Sequence, residues 1–346
     1  MRIRARTVVL GVVCVMVLLA LGGLTVVGWQ VVLGPRTRAL TSRTFDRTPA
    51  RLARGEYLVM GVAACFHCHS DHDLSDPEYP VKEGMLGAGW QLPIPELGDV
   101  EAPNITPDPE TGIGNWSDDA VARAIQEGVA NDGRALFPVM PYLHFRNLDN
   151  EDLASIVVYL RSIPPVKHAM PVTRLVTPLN ILVKTMPQPL SSHVDPPART
   201  TAAARGDYLV NTIANCGDCH TPTDDQGTPL PGMGFAGGGL FHDPGQNGKE
   251  VFSENITSDP SGIAHYDEAL FIQTMRTGQM GGRMLSHIMP FDNFKNMSED
   301  DLRDIFAYLK AQPKVKHRVN NTDPATLCPL CKQTHGLGAM NVAVAR

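Results

Sequence analysis

Cys65-Phe66-His67-Cys68-His69 is the stretch whose reading decides the fold. Its pattern, Cys-x-x-Cys-His, is the attachment signature of a c-type haem. Two thiols three positions apart on a helical turn each form a thioether to one vinyl group of the porphyrin, and the adjacent imidazole of His69 then lies under the iron as an axial ligand. A bare Cys-x-x-Cys is ambiguous among zinc, disulfide and redox uses; the histidine that follows narrows it. The stretch returns as Cys216-Gly217-Asp218-Cys219-His220. Cys65, Cys68, Cys216 and Cys219 are therefore expected to hold two covalently bound haem c groups, with His69 and His220 on the irons.

Outward from these motifs the chain repeats itself. Arg54-Gly55-Glu56-Tyr57-Leu58-Val59 leads into Cys65 as Arg205-Gly206-Asp207-Tyr208-Leu209-Val210 leads into Cys216. Asn104-Ile105-Thr106 returns as Asn255-Ile256-Thr257, and Asp152 through His168 returns as Asp301 through His317. The offset drifts only from 151 (Cys65 to Cys216) to 149 (Asp152 to Asp301), which marks a tandem duplication with few insertions. Each copy reads as three main helices. The first carries Tyr57 or Tyr208 and ends at the Cys motif. The second starts near Ser117 and stops at Gly128, its partner at Gly278. The third shows helical spacing at Leu153, Ile156, Val157 and Leu160, and again at Leu302, Ile305, Phe306 and Leu309. Ser298 with Asp301 makes a capping start, and Pro164 and Pro313 stop the helices. Residues 70–115 and 221–265 are rich in Gly and Pro and do not alternate as strands would.

An iron bound by one histidine needs a second axial ligand or an open position, and methionine is a soft, neutral partner. Met140-Pro141-Tyr142 and Met289-Pro290-Phe291 are matched in local context, and the proline restricts the backbone of the methionine before it. Met140 and Met289 are thus the expected sixth ligands. Met85, Met233, Met275 and Met284 lack matched partners and read as packing residues. Arg134 and Arg283 precede the ligand methionines by equal distances and read either as propionate partners or as solvated loop residues. His168 and His317 follow the last helices and read as exposed basic residues. His67, His72, His144 and His287 have no repeat partner and are not taken as ligands.

Composition sets the remaining bounds. A chain of 346 residues accommodates two or three domains, and a net charge of −6 leaves no basic footprint for nucleic acid. Aromatics are scarce at 6%, which a buried porphyrin would offset by supplying apolar surface. Arg2, Arg4 and Arg6 precede an uncharged run from Thr7 to Leu33, of which Val8–Val27 alone would span about 30 Å as a helix. A cleaved signal peptide is the alternative, but the run exceeds a usual signal core and no small-x-small cleavage site follows. An uncleaved single-pass anchor in the cell inner membrane is expected. Because thioether attachment takes place outside the bacterial cytoplasm, the rest of the chain is expected on the periplasmic side. Residues 169–199 are Pro-rich but include the apolar run Leu175–Val183, so they are expected to lie against the copies rather than to swing free.

Near the end, Cys328-Pro329-Leu330-Cys331-Lys332-Gln333-Thr334-His335 reads three ways. It is a disulfide, a zinc or other metal half-site, or an unorthodox haem site with Lys332 in the usual histidine place, the metal or haem site then being completed by a partner subunit.

The Arg-Gly-x-Tyr-Leu approach to Cys-x-x-Cys-His, the Asn-Ile-Thr-x-Asp-Pro segment, the Met-Pro-aromatic loop and the final Asp-Leu-x-x-Ile-x-x-Tyr-Leu helix together resemble the cytochrome c subunits of bacterial membrane-bound alcohol, aldehyde and gluconate dehydrogenases. The resemblance covers roughly residues 50–318. It implies an all-α chain of two tandem class I-like cytochrome c domains after an N-terminal transmembrane helix. The expected division is 1–36 membrane anchor, 50–168 first domain, 169–199 linker, 200–318 second domain and 319–346 tail. It also implies electron relay between the catalytic part of a dehydrogenase and an oxidase or quinone-linked complex, with no catalytic residue in this chain. Members usually carry three haem motifs where this sequence has two. The rivals are a dihaem enzyme such as a peroxidase, and a structural subunit whose haems only wire its neighbours together.

Overall fold

The computed structural model describes residues 2–23, 34–76, 78–191, 194–195, 198–224 and 226–342. Helix α1 spans Arg2–Gly23. It covers residues 2–23 of the expected 1–36 anchor. Among the described residues no helix is long and apolar enough to cross a membrane. That overturns the expected N-terminal transmembrane helix, and with it the expected single-pass inner-membrane location. The rest of the apolar run, residues 24–33, lies outside the described residues.

Helices α2 (Pro49–Tyr57), α3 (Cys65–Cys68), α4 (Asp118–Glu127), α5 (Tyr142–Phe145) and α6 (Asn150–Leu160) form the first copy. A short α7 (Leu179–Leu182) lies in the linker. Then α8 (Ala202–Tyr208), α9 (Cys216–His220), α10 (Glu268–Thr277), α11 (Phe291–Phe294) and α12 (Glu299–Ala311) repeat the first set. The expected caps are in place. Ser117 Oγ accepts from the Ala120 N–H and Ser298 Oγ from the Asp301 N–H, while Gly128 and Gly278 end α4 and α10 in the left-handed region.

The all-α expectation needs a second correction. Five two-stranded antiparallel ladders stand among the described residues: β1 (Trp90–Gln91) with β3 (Glu101–Ala102), β2 (Gly98–Asp99) with β4 (Arg174–Leu175), β5 (Leu240–Asp243) with β6 (Lys249–Phe252), β7 (Gln279–Met280) with β8 (Arg283–Met284), and β9 (Asn320–Leu327) with β10 (Thr334–Gly336). Most of these strands are shorter than the run over which alternation shows in a sequence. The β2–β4 pair seats the linker on the first copy, as its apolar run had indicated.

The Arg-Gly pair that opens each repeat explains how its helices cross. A Cβ on Gly55 would lie 2.0 Å from the Ser155 carbonyl oxygen of α6, and one on Gly206 would lie 2.0 Å from the Asp304 carbonyl oxygen of α12. Only glycine lets the backbones approach this closely. Beside each crossing an arginine grips a buried carboxylate with two hydrogen bonds: Arg54 to Asp152 at 2.7 and 3.1 Å, Arg205 to Asp304 at 2.5 and 2.7 Å.

The two copies share one apolar core, in which Leu58, Val59 and Leu153 belong to the same cluster as Leu209, Val210 and Leu302. They also exchange side chains reciprocally. Tyr57 donates to Asp301 at 2.5 Å and accepts from the Ser298 N–H, while Tyr208 donates to Asp152 at 2.9 Å and accepts from the Asp149 N–H. Asn293 donates to the Met60 carbonyl at 3.0 Å, and its counterpart His144 donates through Nδ1 to the Asn211 carbonyl at 2.9 Å. Each contact and its mirror join equivalent positions, the pattern of a two-fold axis between the copies.

Candidate functional site

Both Cys motifs are built the same way. After α2 and α8 the backbone widens into one π-helical turn, Leu58–Val62 and Leu209–Ile213, a feature frequent at functional sites. One left-handed residue then reverses the chain, Ala64 at φ 46° and Asn215 at φ 53°, and starts the helix that carries the cysteines. Burial pushes the thiols up, to about 12 for Cys65 and Cys216 and about 11 for Cys68 and Cys219. They are therefore protonated near neutral pH and lack the low pKa of a nucleophilic or redox-exchange cysteine.

Each motif histidine is oriented from behind. His69 Nδ1 donates to the Pro103 carbonyl and His220 Nδ1 to the Glu254 carbonyl, both at 2.7 Å. This fixes the tautomer and leaves Nε2 as a free lone pair with no hydrogen-bond partner among the described residues. Burial lowers both imidazole pKa values, so the neutral, ligating form prevails.

The carbonyls themselves are placed by the Asn-Ile-Thr segments. Asn104 and Asn255 are buried, accept from Thr106 and Thr257, and donate to the Val166 and Val315 carbonyls at 2.7 and 2.8 Å. Sequence reading noticed this repeat but not its task. The signal was there: in both copies the carbonyl acceptor's residue immediately precedes the asparagine.

Both sites open into one continuous, mainly apolar cavity of about 1610 Å³. That exceeds the usual pocket of a single small ligand, about 300–1,000 Å³. Cys65, His69 and Met140 line it, and so do Cys216, His220 and Met289. The two methionines sit in matching turns, with Met140 N–H on the Phe137 carbonyl and Met289 N–H on the Ser286 carbonyl. Cys68 and Cys219 line the same cavity. Beside them His144 Nε2 meets Asp218 at 2.8 Å, which raises the pKa of that imidazole.

The other sequence candidates fall in varied places. Arg134 and Arg283 both line the cavity, the first beside Asp132 and the second beside Glu254, each at 3.4 Å. Met275 is buried against the cavity, Met284 is exposed at its rim, and Met85 and Met233 do not line it. His67, His72 and His287 gather with Tyr79 on the other side of the first motif, where burial and its imidazole neighbours push His67 down to about 4. The expectation that His168 and His317 are exposed is wrong. Both donate Nδ1 to backbone carbonyls at 2.9 Å, His168 to Ala88 and His317 to Ala236, and His317 is fully buried.

The donor set fits a covalently attached haem at each motif: two thiols, a neutral imidazole with a free Nε2, an apolar chamber and a thioether sulfur lining it. No family model matches the chain. Over 310 residues, 85% of this chain and 62% of the relative, it is 27% identical to the cytochrome c subunit of the quinone alcohol dehydrogenase of Gluconobacter oxydans. It is 27% identical over 271 residues, 76% of this chain and 86% of the relative, to a dihaem c-type cytochrome of Cereibacter sphaeroides. Its homologues are cytochromes c. Cytochrome subunits of fructose and gluconate dehydrogenases are among them. A component of the nicotinate dehydrogenase of Pseudomonas putida is 32% identical over 233 residues, which is 64% of this chain and 18% of that relative. The chain thus spans between about a fifth and three-fifths of the lengths of these alcohol, fructose and nicotinate dehydrogenase relatives. Cytochrome c homologues, a dihaem one included, imply covalently bound haem c in this chain.

Proposed function

We propose that this chain holds two haem c groups and relays single electrons between a dehydrogenase partner and a downstream acceptor. Residues 50–168 and 200–318 act as the two haem-binding domains, with 169–199 as linker and 319–346 as a tail that carries the Cys328 and Cys331 pair. Cys65 and Cys68, and Cys216 and Cys219, carry the thioether bonds. His69 and Met140 would hold one iron, and His220 and Met289 the other. The observation that carries this reading is the duplicated donor set opening on one shared cavity.

Bound haem would supply a one-electron redox centre in each half. The chain's own residues then do four things. The thiols fix each macrocycle in place. The Pro103 and Glu254 carbonyls hold the imidazoles in the tautomer that presents Nε2. The Met-Pro turns would offer each iron a neutral sulfur, which favours a high potential. The apolar lining excludes water and lowers the reorganisation that accompanies a change of charge.

The relay reading, rather than a peroxidase, rests on both copies carrying a complete ligand set. A peroxidase needs one open iron position and polar distal groups. The test uses the purified full chain. Haem assay should give about two haems per chain, and Met140→Ala or Met289→Ala should each remove about half of the near-infrared methionine-to-iron charge-transfer band. The reduced protein should bind no carbon monoxide at neutral pH. Rapid stoichiometric binding to one reduced haem, or a full band in both variants, refutes the assignment.

A further inference from the structure

The tail cysteines take no part in the cavity, yet they are among the most buried residues of the chain. Cys328 and Cys331, with His317 and His335, form a closed cluster in which every member is buried. One donor atom from each residue lies within 4.8 Å of the other three. Cys328 Sγ is 3.4 Å from His317 Nε2, and Cys331 Sγ is 3.3 Å from His335 Nε2. For a tetrahedral ion with metal–sulfur and metal–nitrogen bonds of about 2.3 and 2.0 Å, the sulfur–nitrogen edge is about 3.5 Å.

Both imidazoles are prepared in the same manner. His317 Nδ1 donates to the Ala236 carbonyl at 2.9 Å and His335 Nδ1 to the Gly336 carbonyl at 3.0 Å, which turns both Nε2 atoms inward. The ring planes stand at 87° to one another, so the two nitrogens converge without stacking. Gly238, at φ 94°, leaves room for them, since a Cβ there would lie 2.8 Å from His317 Cε1. The first copy keeps the histidine and its carbonyl bond at His168 but brings no cysteine to it among the described residues.

Two of the three sequence readings of this segment lose their support. The cysteines are not joined in a disulfide. Lys332, which would replace the haem histidine, is exposed and donates to the Pro329 carbonyl at 2.8 Å, and neither cysteine lines the large cavity. The fourth ligand comes from this chain, at a position that sequence reading had placed on the surface.

We propose that His317, Cys328, Cys331 and His335 form a structural Cys₂His₂ site for a tetrahedral zinc ion. All four positions are filled by protein, so the site is closed and does no chemistry of its own. Two soft thiolates with two imidazoles at tetrahedral spacing select zinc over the harder oxygen-seeking cations. Its role is to pin the β9–β10 hairpin. Asn320, Asn321 and Thr322 at the start of β9 line the cavity. Asn321 accepts from the Phe252 N–H at 2.7 Å and donates to Glu254 Oε1 at 3.0 Å. Glu254 is the residue whose carbonyl orients His220. The ion therefore secures the wall behind the second motif histidine, a place the linker residues Thr173 and Leu175 occupy in the first copy.

The test is elemental analysis of the full chain, purified without chelator. About one zinc per chain is expected, with zinc-edge absorption fitted by two sulfur and two nitrogen ligands. His335→Ala and Cys331→Ser should each lower retained zinc roughly tenfold or more while the Cys65 and Cys216 haem attachment persists. Should a variant fail to accumulate, the ligand count around zinc in the unaltered protein decides alone. A chain whose two tail thiols are reduced but which takes up no zinc from added zinc chloride overturns the proposal. So does intact-mass evidence that Cys328 and Cys331 are disulfide-bonded in the purified protein.

Discussion

Replacing Tyr208 by phenylalanine removes one hydroxyl from the seam between the two copies and little else. Tyr208 is 4% exposed, and the guanidinium of Arg199 lies 3.7 Å over its ring, a contact the phenylalanine keeps. The hydroxyl donates to Asp152 at 2.9 Å and accepts from the Asp149 N–H at 3.2 Å. Burial and then Asp152 push its pKa far above the ordinary value, so it remains a donor throughout the working range. A hydrogen bond to a charged group contributes about 1.5–3 kcal/mol and a neutral one about 1 kcal/mol. Asp152 keeps both bonds from Arg54, which places the first contribution at its lower end. The expected loss is about 2–3 kcal/mol, or roughly 30- to 150-fold in the unfolding equilibrium. The mirror substitution Tyr57→Phe touches a half-buried site and should cost only about 1 kcal/mol. Guanidinium unfolding of the haem-loaded protein, followed by far-ultraviolet dichroism and by the Soret band, measures both. A loss below about 0.5 kcal/mol for Tyr208→Phe, or a larger loss for Tyr57→Phe, refutes the reasoning from burial.

Two further substitutions probe what holds each half. Gly206→Ala places a methyl 2.0 Å from the Asp304 carbonyl and should cost about 4 kcal/mol or abolish haem-protein yield; Gly234→Ala, with nothing within 4 Å, should stay within about 0.5 kcal/mol, both read from denaturant midpoints. Arg38 binds Asp119 at 2.7 and 2.8 Å and Glu127 at 2.7 Å, and Arg38→Ala strands two buried carboxylates at a cost of about 3–5 kcal/mol at pH 7. Burial alone would raise the Asp119 pKa, but the Arg38 and Thr41 hydrogen bonds outweigh it and the net shift is downward. A carboxyl depressed in the folded state stabilises above its unfolded pKa of about 3.9 and loses that contribution as pH falls through the folded value. The gap between wild type and Arg38→Ala in thermal melts should therefore narrow below about pH 4.

The helix caps were legible in the sequence because each is local, and the duplication because whole stretches of residues recur. Ser117 before α4 and Gly128 after it act within a turn or two of chain. Gly55 and Gly206 could be seen to repeat, but that they exist for a backbone crossing appears only once α2 meets α6. The strands escaped notice for a physical reason: a two-residue ladder such as Gly98–Asp99 on Arg174–Leu175 has no room for alternation. The apolar N-terminal run gave the right element, a helix, but among the described residues that helix is not long and apolar enough to cross a membrane. His317 was misread because its partners lie beyond the repeat, in a tail with no counterpart in the first copy. The crossed tyrosines were invisible for the same reason in reverse. Nothing within either copy says that Tyr57 will find its acceptor at Asp301.

That crossing has a bearing on what tethering achieves. If the mirrored contacts joined two separate molecules, their spacing would depend on concentration, and dilution would part them. Within one chain the partner is always present at a high effective concentration, set by a linker that is itself laid down along β2. The two Cys motifs consequently keep one separation at any dilution. Covalent union also frees the mirror positions to differ, and they have: where one copy meets the other through Asn293, an uncharged amide, the opposite position is His144, whose proton can come and go beside Asp218. A symmetric pair of molecules could carry that group only twice or not at all.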